Sequence, residues 1–145
     1  MAQTTLNLGT IIVTMSVFES TVTVNKPAEQ VYAFLADMNN HRQLMPDNIE
    51  DWESTADVAS FNIQNITKLS IKIAERVADS LVRIIPAEKP PFDMELKWEL
   101  SEVDGATQAA FTITADLNMM MKMFASGPLQ KLVDEETTNL AKLLS

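Results

Sequence analysis

The reading starts from Leu117–Ser145, LNMMMKMFASGPLQKLVDEETTNLAKLLS. From Leu129 onward its apolar residues fall at Leu129, Leu132, Val133, Leu140, Leu143 and Leu144. That spacing suits a 3.6-residue period and gives a helix one greasy face. At about 1.5 Å per residue the whole stretch reaches about 40 Å, long for a small domain. Such a helix needs a broad apolar partner, and the middle of the chain supplies one.

That middle reads as a meander of strands near Ile49–Ser54, Ala59–Gln64, Lys68–Arg76, Ser80–Pro86, Asp93–Val103 and Thr107–Asp116. Met94, Leu96, Trp98 and Leu100 alternate with Glu95, Lys97, Glu99 and Ser101. Phe111, Ile113 and Ala115 alternate with Thr112, Thr114 and Asp116, and Leu69, Ile71 and Ile73 with Ser70, Lys72 and Ala74. Period-two alternation means one buried and one wet face. Asp104-Gly105 between two such runs signals a hairpin, while Lys89-Pro90-Pro91 cannot pair as a central strand.

Upstream, Met1–Gly9 lacks a long alternating pattern and is expected to be a loose leader. Thr10–Asn25 is rich in Val, Ile and Thr and reads as a strand, with Phe18, Val22 and Val24 on one face. Pro27 then opens a helix. Val31, Phe34, Leu35 and Met38 recur at i, i+3, i+4 and i+7, the pattern of a core-facing helix. A short second helix, from about His41 to Met45, stops before Pro46.

Composition narrows the function classes. A chain of 145 residues suits one domain, 1–145, large enough to bury a core. Net charge −9, from 11 basic and 20 acidic residues, argues against nucleic acid and anionic membrane surfaces as partners. The absence of cysteine removes disulfides and thiolate chemistry and fits a reducing cytoplasm. No apolar run approaches the ~20 residues of a spanning helix, so no stable membrane insertion is expected. Only three glycines are present, and neither GxGxxG nor GxxxxGK[ST] occurs. Nucleotide sites of those types are therefore not expected, and no cofactor is.

In order, the chain reads strand, two short helices, six strands and a long helix. The stretches PAEQVYAFLADMNNHRQLMPD, DWESTADVASFNIQ and LNMMMKMFASGPLQKLVD carry that order. Over roughly Ser16 to Leu144 it resembles the helix-grip (SRPBCC) superfamily of START lipid-transfer domains, plant pathogenesis-related pollen allergens and polyketide cyclases. The likeness is greatest to small bacterial members. The resemblance implies an α+β fold: a seven-stranded, strongly curved antiparallel sheet wrapped about the C-terminal helix, with two short helices between strands 1 and 2. Family members hold apolar ligands between sheet and helix. Some branches cyclise or dehydrate polyketides there, and others only carry lipids, hormones or quinones, or bind partner proteins.

The residues expected to line such a site are Phe34, Leu69, Ile71, Trp98, Phe111 and Ile113, joined on the helix by Met120, Met123, Phe124, Leu132 and Glu136. The methionines are flexible and polarizable, suited to varied apolar guests; ordinary core packing is the plainer alternative. Three consecutive methionines cannot all face one side of a helix. Gly127-Pro128 is expected to kink or restart the helix, because Pro128 has no N–H for the carbonyl of Phe124. His41, the single histidine, lacks the Cys, Asp or Glu cluster of a zinc site or triad, and is expected to be a solvated surface imidazole. Glu50, Asp51 and Glu53 lack the spacing of a calcium loop, so no metal site is expected. Trp98 should point inward with Leu96 and Leu100, and Tyr32 should sit at an edge.

Glu136 departs from the apolar pattern. It lies four residues after Leu132 and four before Leu140, on the greasy stripe. Either it sits at the stripe's margin in water, or it points into the cavity with a raised pKa unless a cation such as Arg83 reaches it. It is the one candidate acid for chemistry, and a weak one. The reading that follows is binding or transport of a small apolar or amphipathic molecule, such as a lipid, polyketide or quinone. Its rivals are a polyketide cyclase or dehydratase, which needs a poised acid or base in the pocket, and a protein-interaction module resembling a chaperone cofactor.

Overall fold

The computed structural model describes Ala2–Leu8 and residues 11–145, with side chains from Met15 onward. The strands are β1 (Ala2–Leu8), β2 (Ile11–Val24), β3 (Ile49–Ser54), β4 (Val58–Ile63), β5 (Thr67–Val77), β6 (Leu81–Pro86), β7 (Met94–Val103) and β8 (Ala106–Ala115). Helices α1 (Ala28–Leu35) and α2 (Met38–His41), with a 3-10 turn at Arg42–Leu44, join β2 to β3, and α3 (Met119–Leu144) ends the chain. All strands lie in one antiparallel sheet in the order β1-β2-β8-β7-β6-β5-β4-β3. The sheet is curled, and the expected seven strands are β2 to β8.

The eighth strand is a difference from the sequence reading. Ala2–Leu8, expected as a loose leader, pairs with β2, Ala2 opposite Val17 and Leu8 opposite Ile11. Met1 and Gly9 lie outside the described residues. Strand β2 runs past the end of β8, where Ser16 faces Ala115. β1 lies along the other edge of β2 from β8 and pairs its first half, satisfying backbone groups there. Such pairing leaves no mark on side-chain periodicity.

Strand β7 alternates as expected: Met94, Leu96, Trp98 and Leu100 are buried. Asp104 and Gly105, at φ 53° and 79°, form the two-residue turn between β7 and β8. Two consecutive left-handed residues match the twist of a tight hairpin, which is why Gly105 is tolerated there and a branched residue would not be. Pro27 precedes α1 without offering a side-chain cap. Glu102 of β7 supplies one across the fold, accepting from the Ala28 N–H at 2.6 Å. Asp37 caps α2 by accepting from the Asn39 N–H. The short second helix thus begins at Met38, three residues earlier than expected, and tightens into the 3-10 turn before Pro46.

Helix α3 is a single helix through Pro128. The expected restart does not occur. The carbonyl left without its bond belongs to Phe124, an exposed residue, and Gly127 is exposed beside it, so the lost bond falls where the helix is uncovered. Asn118 caps the helix, its side chain accepting from the Met121 N–H at 2.8 Å. The helix packs mainly along β2 and then β8. One apolar core joins the sheet's inner face, α1, α2 and α3.

Candidate functional site

Strand pairing sets one row of inward side chains at the same level of the sheet. Ser20 of β2 faces Phe111 of β8, Phe111 faces Trp98 of β7, and Trp98 faces Val82 of β6. The Trp98 and Phe111 rings stack with centroids 4.4 Å apart, 8° from parallel. Ser20 Oγ and Thr137 Oγ1 lie 2.8 Å apart, which puts Thr137 of α3 over this row. Thr137 Oγ1 also bonds the Val133 carbonyl at 3.0 Å. Two residues on, Asn139 Nδ2 donates to the Leu44 carbonyl of the 3-10 turn at 2.9 Å. Successive helix positions turn by about 100°. Glu136 therefore lies between the side of α3 that rests on β2 and the side that meets the 3-10 turn. That direction is the interior.

Glu136 is 2% exposed. Among the described residues its carboxyl makes no hydrogen bond or ion pair, and burial raises its pKa well above the usual carboxylic acid range. Arg83, the cation weighed as its partner, points the other way. It sits between buried Val82 and Ile84 on β6, so alternation turns it outward, where it bonds Glu75 at 3.1 Å and lies 3.6 Å from Glu95. The margin position in water is thereby corrected: Glu136 is inside. The second interior polar group is Trp98 Nε1, fully buried and without an acceptor. Buried N–H groups are normally paired, so an orphan of this kind asks for a partner. Ser16 Oγ on β2 and Ser126 Oγ on α3 are also buried and unpaired.

Leu69, Ile71, Trp98, Phe111, Ile113 and Leu132 belong to one buried cluster, with Phe34 packed against it. Met120, Met123 and Phe124 do not. They are 67%, 83% and 62% exposed, with Met119 at 82%, on the first turns of α3. The polar residues Ser16, Ser20 and Thr137 were missed. Their signal was present: Ser16 and Ser20 interrupt the inward face that carries Phe18, Val22 and Val24.

His41 is also corrected, from solvated to buried at 2% exposure. Its Nε2 donates to the Leu35 carbonyl at 2.7 Å, closing the turn between α1 and α2. Burial lowers its pKa, opposed by that bond and by Asp37. No group of His, Asp or Glu suited to a metal ion occurs among the described residues. Asp51 instead sits at a bulge of β3 with φ 55° and accepts from Asn62 Nδ2 at 2.7 Å. Trp52 stacks on Phe61, centroids 5.2 Å apart, and donates to Ser54 Oγ.

Two open clefts flank the interior. One, about 380 Å³, lies between the Lys89–Asp93 loop and the start of α3, with Phe92 and Met121 among its walls. The other, about 440 Å³, lies between Met45–Asp47 and the outer side of α3 near Asp134 and Lys142. Neither is lined by Glu136 or Trp98.

No protein-family model matches the sequence, and the search of curated proteins finds no match. Solved structures do match. The KanY protein superposes with TM-score 0.73 at 16% identity, over 90% of this chain and 97% of that one. The XoxI protein of Bacillus cereus gives 0.69 at 12% identity, over 89% and 95%. A protein of Thermus thermophilus gives 0.67 at 14% identity, over 89% and 97%. They share this fold. Small bacterial proteins of helix-grip-like architecture are thus what the chain is similar to, nearly end to end. No helix is long and apolar enough to cross a membrane among the described residues.

Proposed function

We propose that the protein binds a small apolar or amphipathic molecule between the sheet and α3, as a member of the helix-grip (SRPBCC) superfamily. The observation that carries this reading is the unpaired Trp98 N–H, in the same interior as the buried Glu136 carboxyl, whose pKa burial raises. A chain selected only for packing gains nothing from an unpaired N–H and a desolvated carboxyl in its core, since each costs stability. A guest with a polar atom and an apolar body repays both.

Native mass spectrometry of gently purified protein tests the proposal directly: a mass excess released by unfolding supports it. Environment-sensitive apolar dyes should bind the native state with affinity nearly independent of salt, there being no basic patch to attract them. Steep loss with added salt would instead point to surface electrostatics. One observation favours a second reading, a protein-interaction module: exposed Met119, Met120, Met123 and Phe124 form an apolar surface on one element. Under that reading no small molecule accompanies the protein.

A further inference from the structure

The two edges of the sheet are protected unequally. A strand edge presents a row of unpaired N–H and C=O groups, and proteins blunt it with charges, bulges or proline. At one edge, β3 carries Glu50, Asp51 and Glu53. Its register with β4 shifts between Glu50 and Glu53, where Asp51 has φ 55°. At the other edge, β1 pairs with β2 at every position from Ala2 to Leu8 without a shift. Its sequence, AQTTLNL, holds no charge, proline or glycine. No charged residue occurs from there through Phe18, so the part of β2 that β1 covers is uncharged as well.

β1 also stands with little support. Pairing of β2 with β8 begins at Ser16, so Thr4–Leu8 and Ile11–Met15 form a two-stranded ribbon beyond the rest of the sheet. Among the described residues β1 packs on no element other than β2 to a comparable extent. Two strands alone are marginal in water, and further strands stabilise them.

We propose that β1 is a dimerisation edge, pairing antiparallel with β1 of a second copy of this chain. An antiparallel strand is its own complement under a two-fold axis. Full overlap centres the axis on Thr5: Thr5 opposes its own copy, Thr4 opposes Leu6, Gln3 opposes Asn7 and Ala2 opposes Leu8. The two ribbons then become four adjoining strands, β2-β1-β1-β2. Charge selects a second copy over another partner. Copies of a chain with net charge −9 repel wherever their acidic surfaces meet. This edge brings no like charges together. A basic partner is drawn instead to acidic surface, which β3 has and β1 lacks.

The test is sedimentation equilibrium of the full chain over a range of loading concentrations. The wild type should show a reversible monomer–dimer equilibrium. Thr5→Lys and Thr5→Glu each set like charges opposite one another at the axis, and each should raise the dimer Kd about fivefold. An equimolar mixture of the two variants should associate within about twofold of wild type, because opposite charges then face each other. Should a charge at Thr5 detach β1 from β2, a disulfide keeps the test decisive. The chain has no cysteine of its own. Opposed Cα atoms of an antiparallel pair lie about 4.5–5.5 Å apart, within disulfide range. Thr5→Cys should therefore crosslink under mild oxidation in proportion to the dimer fraction, and faster than Glu53→Cys on the opposite edge. A wild type that is monomeric at every concentration overturns the proposal and leaves this edge to a strand of another protein. A dimer whose Thr5→Cys variant crosslinks no faster than Glu53→Cys also overturns it and places the interface elsewhere.

Discussion

The two halves of α3 are equally greasy in sequence and opposite in the fold. In the second half Leu129, Leu132, Val133 and Leu140 are buried against β2, β8 and the 3-10 turn. In the first, Met119, Met120, Met123 and Phe124 face solvent, and Ala125 is the first residue fully inside. A helix longer than the concave surface it fills must leave part of its length uncovered. Apolar content alone does not tell which part. Stripe spacing does: the second half repeats at i+3 and i+4, whereas a run of methionines has no face. The same comparison sets off Glu136, a carboxyl in the covered half, where burial of an acid costs stability.

The largest effect should come from removing the covered half. Deleting Leu129–Ser145 exposes the inner face of the sheet and should leave aggregated or molten protein by near-ultraviolet circular dichroism and size exclusion. A soluble, cooperatively melting truncation would break the comparison. Next, Leu132→Ala should cost about 2–5 kcal/mol in chemical denaturation, as for a packed core leucine, and less if the site already borders a void.

A smaller effect concerns pH. Glu136 has a raised pKa in the folded state, so its contribution to stability is fully present below the ordinary carboxyl range and is lost as pH rises, because the unfolded chain releases its proton first. His41 has a lowered pKa, so its contribution is present above the ordinary imidazole range and lost as pH falls. Denaturation midpoints measured across pH should show the first slope flattened in Glu136→Gln and the second in His41→Gln. An unaltered profile in Glu136→Gln would mean that the carboxyl is not buried in solution. The smallest effect belongs to the uncovered half: Met123→Ser with Phe124→Ser should change stability by about 0.5 kcal/mol or less per site, as for surface positions. Dye binding should also be unchanged, which would sharpen the division of the helix. Loss of dye binding would return these residues to the ligand site.

Much of the fold was legible because burial and secondary structure act on the same periodicities. The strands from Ile49 to Ala115 and the Asp104-Gly105 turn follow from alternation and a left-handed dipeptide. Strand β1 was not legible, because its role is to complete backbone pairing. His41 was misplaced because a polar neighbourhood, NNHRQ, suggests solvent, while in the fold its ring is buried with Nε2 satisfied by the Leu35 carbonyl. Of the site, the inward positions of Trp98, Phe111 and Ile113 could be read from their strands. Arg83 could have been too, since its neighbours Val82 and Ile84 alternate with it. The pairing of Ser20 with Thr137, which fixes the level of Glu136, joins residues 117 positions apart and needed three dimensions.

The central claim is that Glu136 is an uncompensated acid inside the grip, and carboxyl-carbon NMR titration of ¹³C-labelled protein tests it most directly. The account predicts that the Glu136 signal keeps its protonated shift well above the ordinary glutamate range. Titration of Glu136 within that ordinary range would contradict it.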